Sequence, residues 1–216
     1  MSLQVHPDDE AASELENAPY GKNESWYFLK APGSGKIFDG TNPKSIDKIK
    51  NLIDEKKLSE IADTLEVKAG DYVYVEAGTL HAITSGAIVY EIEENAEYTY
   101  RVYDFDRVDA KGNKRTLHIN QALRALKPEL KSFVRHYDDN AITERLYTTQ
   151  LLNSLASYKN QSKTLECLTI IDNQNRDRLD GIDISFGMTI VLEPNEEIHL
   201  KIGETIMSRV NIDFAR

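Results

Sequence analysis

Four side chains that commonly bind metal ions lie in three short segments of the sequence. Gln4 and His6 stand two positions apart, Glu24 belongs to a second segment, and His81 lies much further along the chain. Residues two apart on an extended strand point to the same face, so Gln4 and His6 would share one. Two neutral imidazoles, one carboxylate and one amide oxygen suit Zn²⁺ and similar cations and leave room for a water or substrate oxygen. These residues therefore predict a mononuclear metal site.

Two basic residues close to these ligands in the sequence suit chemistry on an anionic substrate. Lys22 stands two positions before Glu24, so on a strand it would point into the same site, where it could relay protons or bind phosphate. Arg101 carries a planar guanidinium, which stabilises developing negative charge or grips a phosphate group with two hydrogen bonds. A salt bridge from Arg101 to Asp104 or Asp106 is the structural alternative, and both interpretations of Arg101 stay open at this point.

The composition argues against several classes of protein. The chain has 216 residues, a formal net charge of -10 and a pI near 5.0, which argues against a nucleic-acid-binding surface. It has neither an apolar run of about 18 residues nor a charged and apolar leader, so we expect no membrane span and no secretory signal. The single cysteine, Cys167, excludes an internal disulfide and fits a reducing cytoplasm. Its alternating surroundings predict a buried structural thiol on a strand.

Short strand-like runs, separated by turn signals that often contain glycine, fill most of the sequence. Many short strands of this kind are typical of a β-sandwich or barrel. An insertion at residues 43–63 places apolar residues at near-helical spacing, which predicts a helix or helix pair that caps one end of the barrel. A second helix is predicted from Asn120 to Leu126, because Asn120 can cap its N-terminus and Pro128 ends it. The predicted strands are residues 3–6, 25–30, 36–38, 64–67, 72–76, 88–93, 99–103, 165–172, 189–192 and 197–202.

Four sequence motifs carry a resemblance to a known enzyme family. They are S-L-Q-V-H-P-D-D at residues 2–9, G-K-N-E-S-W-Y at 21–27, A-G-T-L-H-A-I at 77–83 and Y-R-V-Y-D-F-D-R at 100–107. On these motifs, and on R-T-L-H-I at 115–119, the sequence resembles the type I mannose-6-phosphate isomerases, particularly the shorter bacterial form. The resemblance weakens after about Ala125.

This resemblance implies a fold, a cofactor and an activity. The fold is a mainly β, cupin-like jelly-roll barrel, to which the segment from Lys68 to Ile83 would deliver His81 at the barrel mouth. The cofactor is one Zn²⁺ per chain, which by motif position would be held by Gln4, His6, Glu24 and His81. The activity is the interconversion of mannose 6-phosphate and fructose 6-phosphate, so the expected partner is a small sugar phosphate.

The chemistry of such an isomerase assigns roles to four further residues. Moving a carbonyl between C1 and C2 removes a C–H proton and places negative charge on the enediolate oxygens, which Arg101 would stabilise. Ser2, Lys22 and Arg101 are candidates for binding the substrate. The catalytic base stays open among Glu97, Lys22 and a metal-bound water. Glu97 stands where relatives tend to have a shorter acid, a change that moves the carboxylate by about one methylene.

The same resemblance predicts the domain organisation. Residues 1–136 would form the catalytic cupin domain with the helical insertion at 43–63, residues 137–163 a connection, and residues 164–216 a second, smaller cupin-like β-unit without a metal. The family pattern is already inside a core strand at Met1, so we expect an N-terminally truncated barrel. An exposed barrel edge would then be covered by self-association or by a partner chain.

Three functional interpretations stay open. The first is an active zinc isomerase. The second is a catalytically impaired cupin that binds metal or sugar phosphate, or one part of a split isomerase. The third is an Fe(II) dioxygenase, since such enzymes bind iron with two histidines and one carboxylate, although Gln4 and the Y-R-V-Y-D segment count against it. None of the three would bind nucleic acid or a membrane.

Overall fold

The computed structural model divides the chain into two compact units, residues 1–136 and 137–216. The structure describes residues 1–137, 140–153, 156–172, 178–179, 182–199 and 204–211. Both units consist mainly of short strands, which confirms the mainly β fold class. No helix in these described ranges is long and apolar enough to cross a membrane.

Nine strands of the first unit form two antiparallel sheets. In chain order they are β1 (Leu3–Val5), β2 (Glu24–Lys30), β3 (Lys36–Thr41), β4 (Ala62–Glu66), β5 (Asp71–Val75), β6 (His81–Ala82), β7 (Ile88–Glu93), β8 (Tyr100–Tyr103) and β9 (Val134–His136). The first sheet has the order β4–β3–β6–β1–β8, and the second has the order β7–β2–β5–β9. Most of these strands fall within one or two residues of the runs that the alternating pattern predicts.

Three helices cover one face of the first sheet. They are α1 (Asp9–Glu16), α2 (Ile46–Asp54) and α3 (Ile119–Ala125). Asp8 caps α1, because its side chain accepts a hydrogen bond from the Ala11 backbone N–H at 2.9 Å. Ile49 of α2 and Ala122 of α3 are buried against alternate residues of the sheet, among them Val5. The insertion predicted at residues 43–63 therefore contains α2 and a single 3₁₀ turn at Leu58–Glu60, before β4 begins.

A second apolar layer lies between the two sheets. Trp26 and Phe28 of β2 pack there with Ile37 of β3 and Val73 of β5, and all four side chains are fully buried. Since side chains alternate along a strand, the residues next to the helix-facing positions of the first sheet point towards this inner layer. Gln4 is one of them, because its neighbours on both sides face the helices.

The second unit has a core of its own. Its strands are β10 (Ile142–Thr143), β11 (Tyr147–Leu152), β12 (Tyr158–Lys159), β13 (Glu166–Ile170), β14 (Arg178–Leu179), β15 (Ile182–Asp183), β16 (Thr189–Leu192), β17 (Glu197–Ile198) and β18 (Thr205–Val210). Five form a sheet in the order β10–β11–β18–β13–β16, and β12–β17 and β14–β15 form two separate pairs. Leu168, Ile170, Leu192 and Met207 are buried in this core.

Three features of the second unit differ from the sequence expectations. The segment 137–163, expected as a connection, contains β10, β11 and β12. The strand expected at residues 197–202 is a two-residue strand followed by His199, and the rest of that run lies outside the described residues. Cys167 is half-buried on β13 rather than fully buried, and the burial that remains raises the pKa of its thiol.

Candidate metal centre

The first sheet brings three of the expected site residues side by side. In the register of β1 with its two neighbours, Gln4 is the cross-strand partner of His81 on β6 and of Arg101 on β8. Directly opposed residues of antiparallel strands point to the same face. His6 lies two residues beyond Gln4, so it joins the same face from the end of β1. Strand register, rather than any local sequence feature, is what joins position 81 to positions 4 and 6.

Glu24 reaches this cluster from the second sheet. One carboxylate oxygen, Oε2, lies 3.2 Å from His6 Nε2, and the other, Oε1, lies 3.2 Å from His81 Nε2. The Gln4 amide nitrogen lies 3.5 Å from His6 Nε2 and 3.4 Å from His81 Nε2. Each of the three side chains His6, Glu24 and His81 is about 1% exposed. The sheets thus enclose a small polar site inside the apolar layer.

A backbone carbonyl accepts a hydrogen bond from one nitrogen of each imidazole. Nδ1 of His6 lies 2.8 Å from the carbonyl oxygen of Tyr98, and Nδ1 of His81 lies 2.9 Å from that of Thr79. A carbonyl oxygen only accepts hydrogen bonds, so Nδ1 carries the proton in each ring. In the neutral rings, Nε2 therefore presents a lone pair towards Glu24. A metal-binding histidine usually donates a hydrogen bond, often to a carbonyl, from the ring nitrogen that does not bind the metal.

The charges at the site favour a cation between these groups. Burial alone would raise the pKa of Glu24, but the contacts with His81, His6 and Lys22 outweigh it and lower that pKa to about 2. Burial lowers the pKa of His81 to about 4, against the opposing effect of Glu24. At neutral pH the site therefore holds a carboxylate and an unprotonated His81. Glu24 Oε1 is buried and accepts no hydrogen bond, which leaves it available to a cation.

Gln4 is the fourth candidate metal ligand, and Ser2 contacts its side chain. The buried Ser2 hydroxyl donates a 2.8 Å hydrogen bond to Gln4 Oε1. The amide thus presents its nitrogen to the two imidazoles, whereas a cation would bind its oxygen. A half-turn of the amide exchanges these two ends, and Ser2 can accept a hydrogen bond as well as donate one. The residue types and their convergence fit a zinc-type cation.

Close backbone packing holds the loops that carry these ligands. A Cβ at Gly21 would lie 2.6 Å from Asp8 Cα and closer still to the Pro7 carbonyl oxygen, so only glycine fits there. That same carbonyl accepts a 3.0 Å hydrogen bond from the Lys22 backbone N–H. The contact ties the segment before Glu24 to the segment after His6. Gly21 is not among the site residues predicted from the sequence, although a glycine directly before the K-N-E run could have indicated a close backbone contact.

Asn23 is a second residue that the sequence analysis missed. Its buried side chain accepts a 2.9 Å hydrogen bond from the Ala77 backbone N–H and donates one of 2.8 Å to Glu94 Oε1. It thereby links the loop before Glu24 to the turn that precedes His81. An asparagine in a loop is common, so no sequence signal marks this role.

The remaining candidate residues lie at different distances from the cluster. Lys22 is buried, with its Nζ 3.8 Å from Glu24 Oε2 and in a close ion pair with Glu93. Arg101 is half-buried, and its Nε is buried without a hydrogen-bond partner. Glu97 is exposed between β7 and β8, and within the described part of the chain it forms no hydrogen bond or ion pair with the cluster. Carboxylate oxygens of Glu24, Glu91 and Glu93 also lie within 4.8 Å of one another.

The relatives found by comparison with known proteins agree with one another in their described activity. No family model matches the chain. The mannose-6-phosphate isomerase ManA of Bacillus subtilis (strain 168) is 33% identical over 189 residues, which are 82% of this chain and 59% of that protein. The mannose-6-phosphate isomerase of Streptococcus mutans is 41% identical over 126 residues, 58% of this chain and 40% of that protein. The chain is a homologue of the mannose-6-phosphate isomerases. It spans about two fifths to three fifths of the length of these relatives.

Solved structures agree with this relationship. The crystal structure of mannose 6-phosphate isomerase from Bacillus subtilis matches with a TM-score of 0.77 at 26% identity, over 96% of this chain and 71% of that one. A mutant of phosphomannose isomerase from Salmonella typhimurium matches with a TM-score of 0.59 at 10% identity, over 98% of this chain and 76% of that one. The second likeness is one of fold alone. The first supports the resemblance that the four sequence motifs indicate.

Proposed function

We propose that the chain provides the metal centre of a zinc-dependent isomerase that interconverts mannose 6-phosphate and fructose 6-phosphate through an enediol. One observation carries this proposal. Two imidazole nitrogens and a carboxylate converge in a buried site that contains few hydrogen-bond donors. Such a cluster of acceptors is unfavourable unless a cation binds. The homology supplies the sugar phosphate as substrate.

Histidine, glutamate and an amide oxygen fit a zinc ion better than Mg²⁺ or Ca²⁺, which prefer oxygen ligands. In this chain the ligands would be Gln4, His6, Glu24 and His81. When bound, the ion would supply a Lewis acid for the substrate oxygens on C1 and C2.

Arg101 is the residue best placed to meet the negative charge of the substrate. Its Nε is buried and makes no hydrogen bond, an arrangement that a group of this polarity rarely keeps without a ligand. It is the cross-strand partner of Gln4, so its backbone is fixed one strand away from the metal ligands. We propose that its guanidinium binds the enediolate oxygens or the phosphate.

Lys22 is better placed than Glu97 to carry the proton. Its Nζ lies within the site between Glu24 and Glu93, whereas Glu97 is exposed. In this proposal Lys22 passes a proton to Glu93, and its free amine then takes the proton that leaves one substrate carbon and returns it to the other. Ser2, which already contacts Gln4, would orient the substrate.

A metal-binding unit without turnover is the second candidate. It is favoured by the exposed position of Glu97, one of the candidate bases. The proposed metal ligands all lie in the first unit, and both candidates use the same four. The two candidates therefore differ in turnover and not in metal binding.

The deciding experiment measures zinc binding and turnover on the same protein. We expect one zinc ion per chain by calorimetry, and conversion of fructose 6-phosphate to mannose 6-phosphate that is lost on chelation and restored by zinc. His81→Ala removes a buried ligand and should abolish both. His199→Ala is the matched control, because His199 is exposed in the second unit.

Each failure has a distinct meaning. Stoichiometric zinc with no turnover would favour the binding unit over the isomerase. Absence of zinc binding in the wild-type chain, or a His81→Ala variant that binds and turns over normally, would remove both candidates.

A further inference from the structure

We infer that Trp26 is a positioning residue that holds the His81 ring in its metal-binding orientation, and that Glu91 fixes Trp26 in turn. The inference rests on the proposed metal site and goes beyond it. It assigns a role to two residues that are not among the ligands or the substrate-binding candidates. Both belong to the second sheet, whereas His81 belongs to the first.

The Trp26 indole packs directly against the His81 ring. The two ring centroids are 5.5 Å apart and the planes meet at 70°, an edge-to-face contact. Trp26 is fully buried and stands two residues after Glu24 on β2, so it shares the inward face of that strand with a metal ligand. A bulky, rigid ring at this place blocks rotation of His81 away from the site.

The hydrogen bonds of His81 do not by themselves explain how its ring is held. Nδ1 has one bond, to the Thr79 carbonyl, and Nε2 faces Glu24 and Gln4. Without a cation the contacts at Nε2 are weak, because the nearest amide nitrogen lies 3.4 Å away. A single strong hydrogen bond leaves the ring free to tilt about that bond. Packing supplies the second restraint, from the edge-to-face Trp26 ring and from the His6 ring, whose centroid lies 5.0 Å away.

Glu91 anchors the indole from the neighbouring strand. Trp26 and Glu91 are cross-strand partners between β2 and β7, and the indole Nε1–H donates a 2.8 Å hydrogen bond to Glu91 Oε1. Glu91 is largely exposed, and partial burial of its carboxyl group together with the nearby Glu24 raises its pKa. A carboxylate also adds negative charge beside a site for a divalent cation. Glu91 thus both fixes Trp26 and favours the metal.

Trp26 is the single tryptophan of the chain, which makes the inference directly measurable. Its fluorescence should change on titration with zinc, with a midpoint equal to that from calorimetry. Three variants separate the contacts. Trp26→Leu removes both the ring edge and the N–H, Trp26→Phe keeps a ring but loses the N–H, and Glu91→Gln keeps an acceptor but loses the charge.

We expect zinc affinity to fall about 10–100-fold in Trp26→Leu, the range found when a partner of a metal ligand is removed, and by a smaller factor in the other two variants. Phe28→Leu is the matched control, because Phe28 is the next inward residue of β2 and is equally buried. It should lower thermal stability to a similar degree and leave zinc affinity within about twofold of wild type. Equal loss of affinity in Phe28→Leu, or unchanged affinity in Trp26→Leu, would overturn the inference.

A second measurement does not need metal or substrate. In chelator-treated protein, the ring ¹⁵N chemical shifts of His81 should report a single Nδ1–H tautomer in the wild type and a mixture in Trp26→Leu. A single tautomer in both proteins would contradict the inference. Because this readout is independent of zinc and turnover, it tests the role of Trp26 even if the isomerase proposal fails.

Discussion

Buried polar side chains at the candidate metal centre and in the core of the second unit differ in their hydrogen bonding. In the second unit, the fully buried Glu166 accepts hydrogen bonds from Tyr158 at 2.8 Å and from Arg209 at 2.9 Å. Asn160, equally buried, uses both ends of its amide in four hydrogen bonds. In the first unit, Glu24 Oε1 and Arg101 Nε are buried and have no hydrogen bond.

A bound ligand at the candidate metal centre would account for this difference in hydrogen bonding. A buried polar group that is fully bonded contributes to a unique fold, whereas one left without a partner costs about 1–3 kcal/mol and persists where a ligand completes it. Among the described residues, groups of histidines and acids close enough to hold a metal occur only in the first unit. Four perturbations test this contrast.

The largest effect is expected at the glycine that joins two ligand segments. Gly21→Ala places a methyl group against the backbone of Pro7 and Asp8, which has to move. We expect a loss of about 3 kcal/mol or more in the unfolding free energy of the first unit, together with much weaker zinc binding. Urea denaturation followed by Trp26 fluorescence measures the first quantity, and calorimetry measures the second.

Gly187→Ala in the second unit is the control for this change. Gly187 has φ of +81° but no heavy atom within 4 Å of an added Cβ, so only backbone strain of about 1–2 kcal/mol is expected. Zinc affinity should not change. A milder effect at Gly21 than at Gly187 would mean that the ligand segments are not held by this contact.

A pair of isosteric changes should separate metal binding from stability. Glu24→Gln should abolish tight zinc binding, because it removes the charge of the central ligand. Glu166→Gln should leave zinc affinity intact and lower the unfolding free energy by about 1–3 kcal/mol, since Arg209 loses its charged partner. Calorimetry and thermal unfolding on both variants test the contrast, and a loss of zinc affinity in Glu166→Gln would break it.

The metal-free first unit should lose stability on mild acidification. His81 has a folded-state pKa of about 4 against an ordinary value of 6.5, so the unfolded chain binds this proton first as the pH falls. Stability contributed by the neutral ring is therefore present above pH 6.5 and is lost between pH 6.5 and about 4, with a slope of about 1.4 kcal/mol per pH unit. The lowered pKa of Glu24 extends the loss in the same direction below pH 4.5.

Urea denaturation in the presence of a chelator, followed by Trp26 fluorescence, checks this prediction. His81→Asn should flatten the slope between pH 6.5 and 4. An equally steep slope in that variant would assign the effect to another group.

The smallest effect is expected at an ion-pair cluster away from the metal ligands. Asp104 is little exposed and pairs with Arg115 and Arg107, which hold its pKa well below its usual range. Because both arginines are about half exposed, Asp104→Asn should cost only about 1 kcal/mol at pH 7. This contribution is lost as the pH falls through the usual range of an aspartate, so wild type and variant should converge in acid.

Asp183→Asn in the second unit is the counterpart to this change. It breaks an exposed pair with Arg178 and should have almost no effect. Thermal unfolding compares the two variants. A larger loss of stability in Asp183→Asn than in Asp104→Asn would contradict this prediction.

The sequence predicted the elements of the first unit better than those of the second. Strand-forming residues bounded by turn signals mark β2, whose inward residues Trp26 and Phe28 are large and fully buried. In β11 and β18, Thr148, Thr149, Gln150 and Ser208 occupy sheet positions and hide the alternation. The burial of these strands depends on pairing with each other across some 60 residues of sequence. Local pattern alone does not reveal such a pairing.

For the site, residue types could be read from the sequence, whereas the neighbours of each residue depend on the fold. Motif spacing singled out Gln4, His6, Glu24 and His81, which the structure brings together, while zinc binding and the catalytic role of Glu97 stay predictions. The hydrogen bond between Trp26 and Glu91 depends on the register of β2 with β7, and the links made by Asn23 depend on loop packing. Those contacts exist only in three dimensions.

The pairing of β1 with β6 has a consequence for how the chain would acquire the proposed zinc ion. It brings position 4 next to position 81, so the site forms only after a long loop closes, a slow, non-local step in folding. A chain still being synthesised would present its first two ligands well before the fourth emerges. Zinc should therefore bind after the first sheet has closed. It would then stabilise a fold that has already formed rather than start its formation.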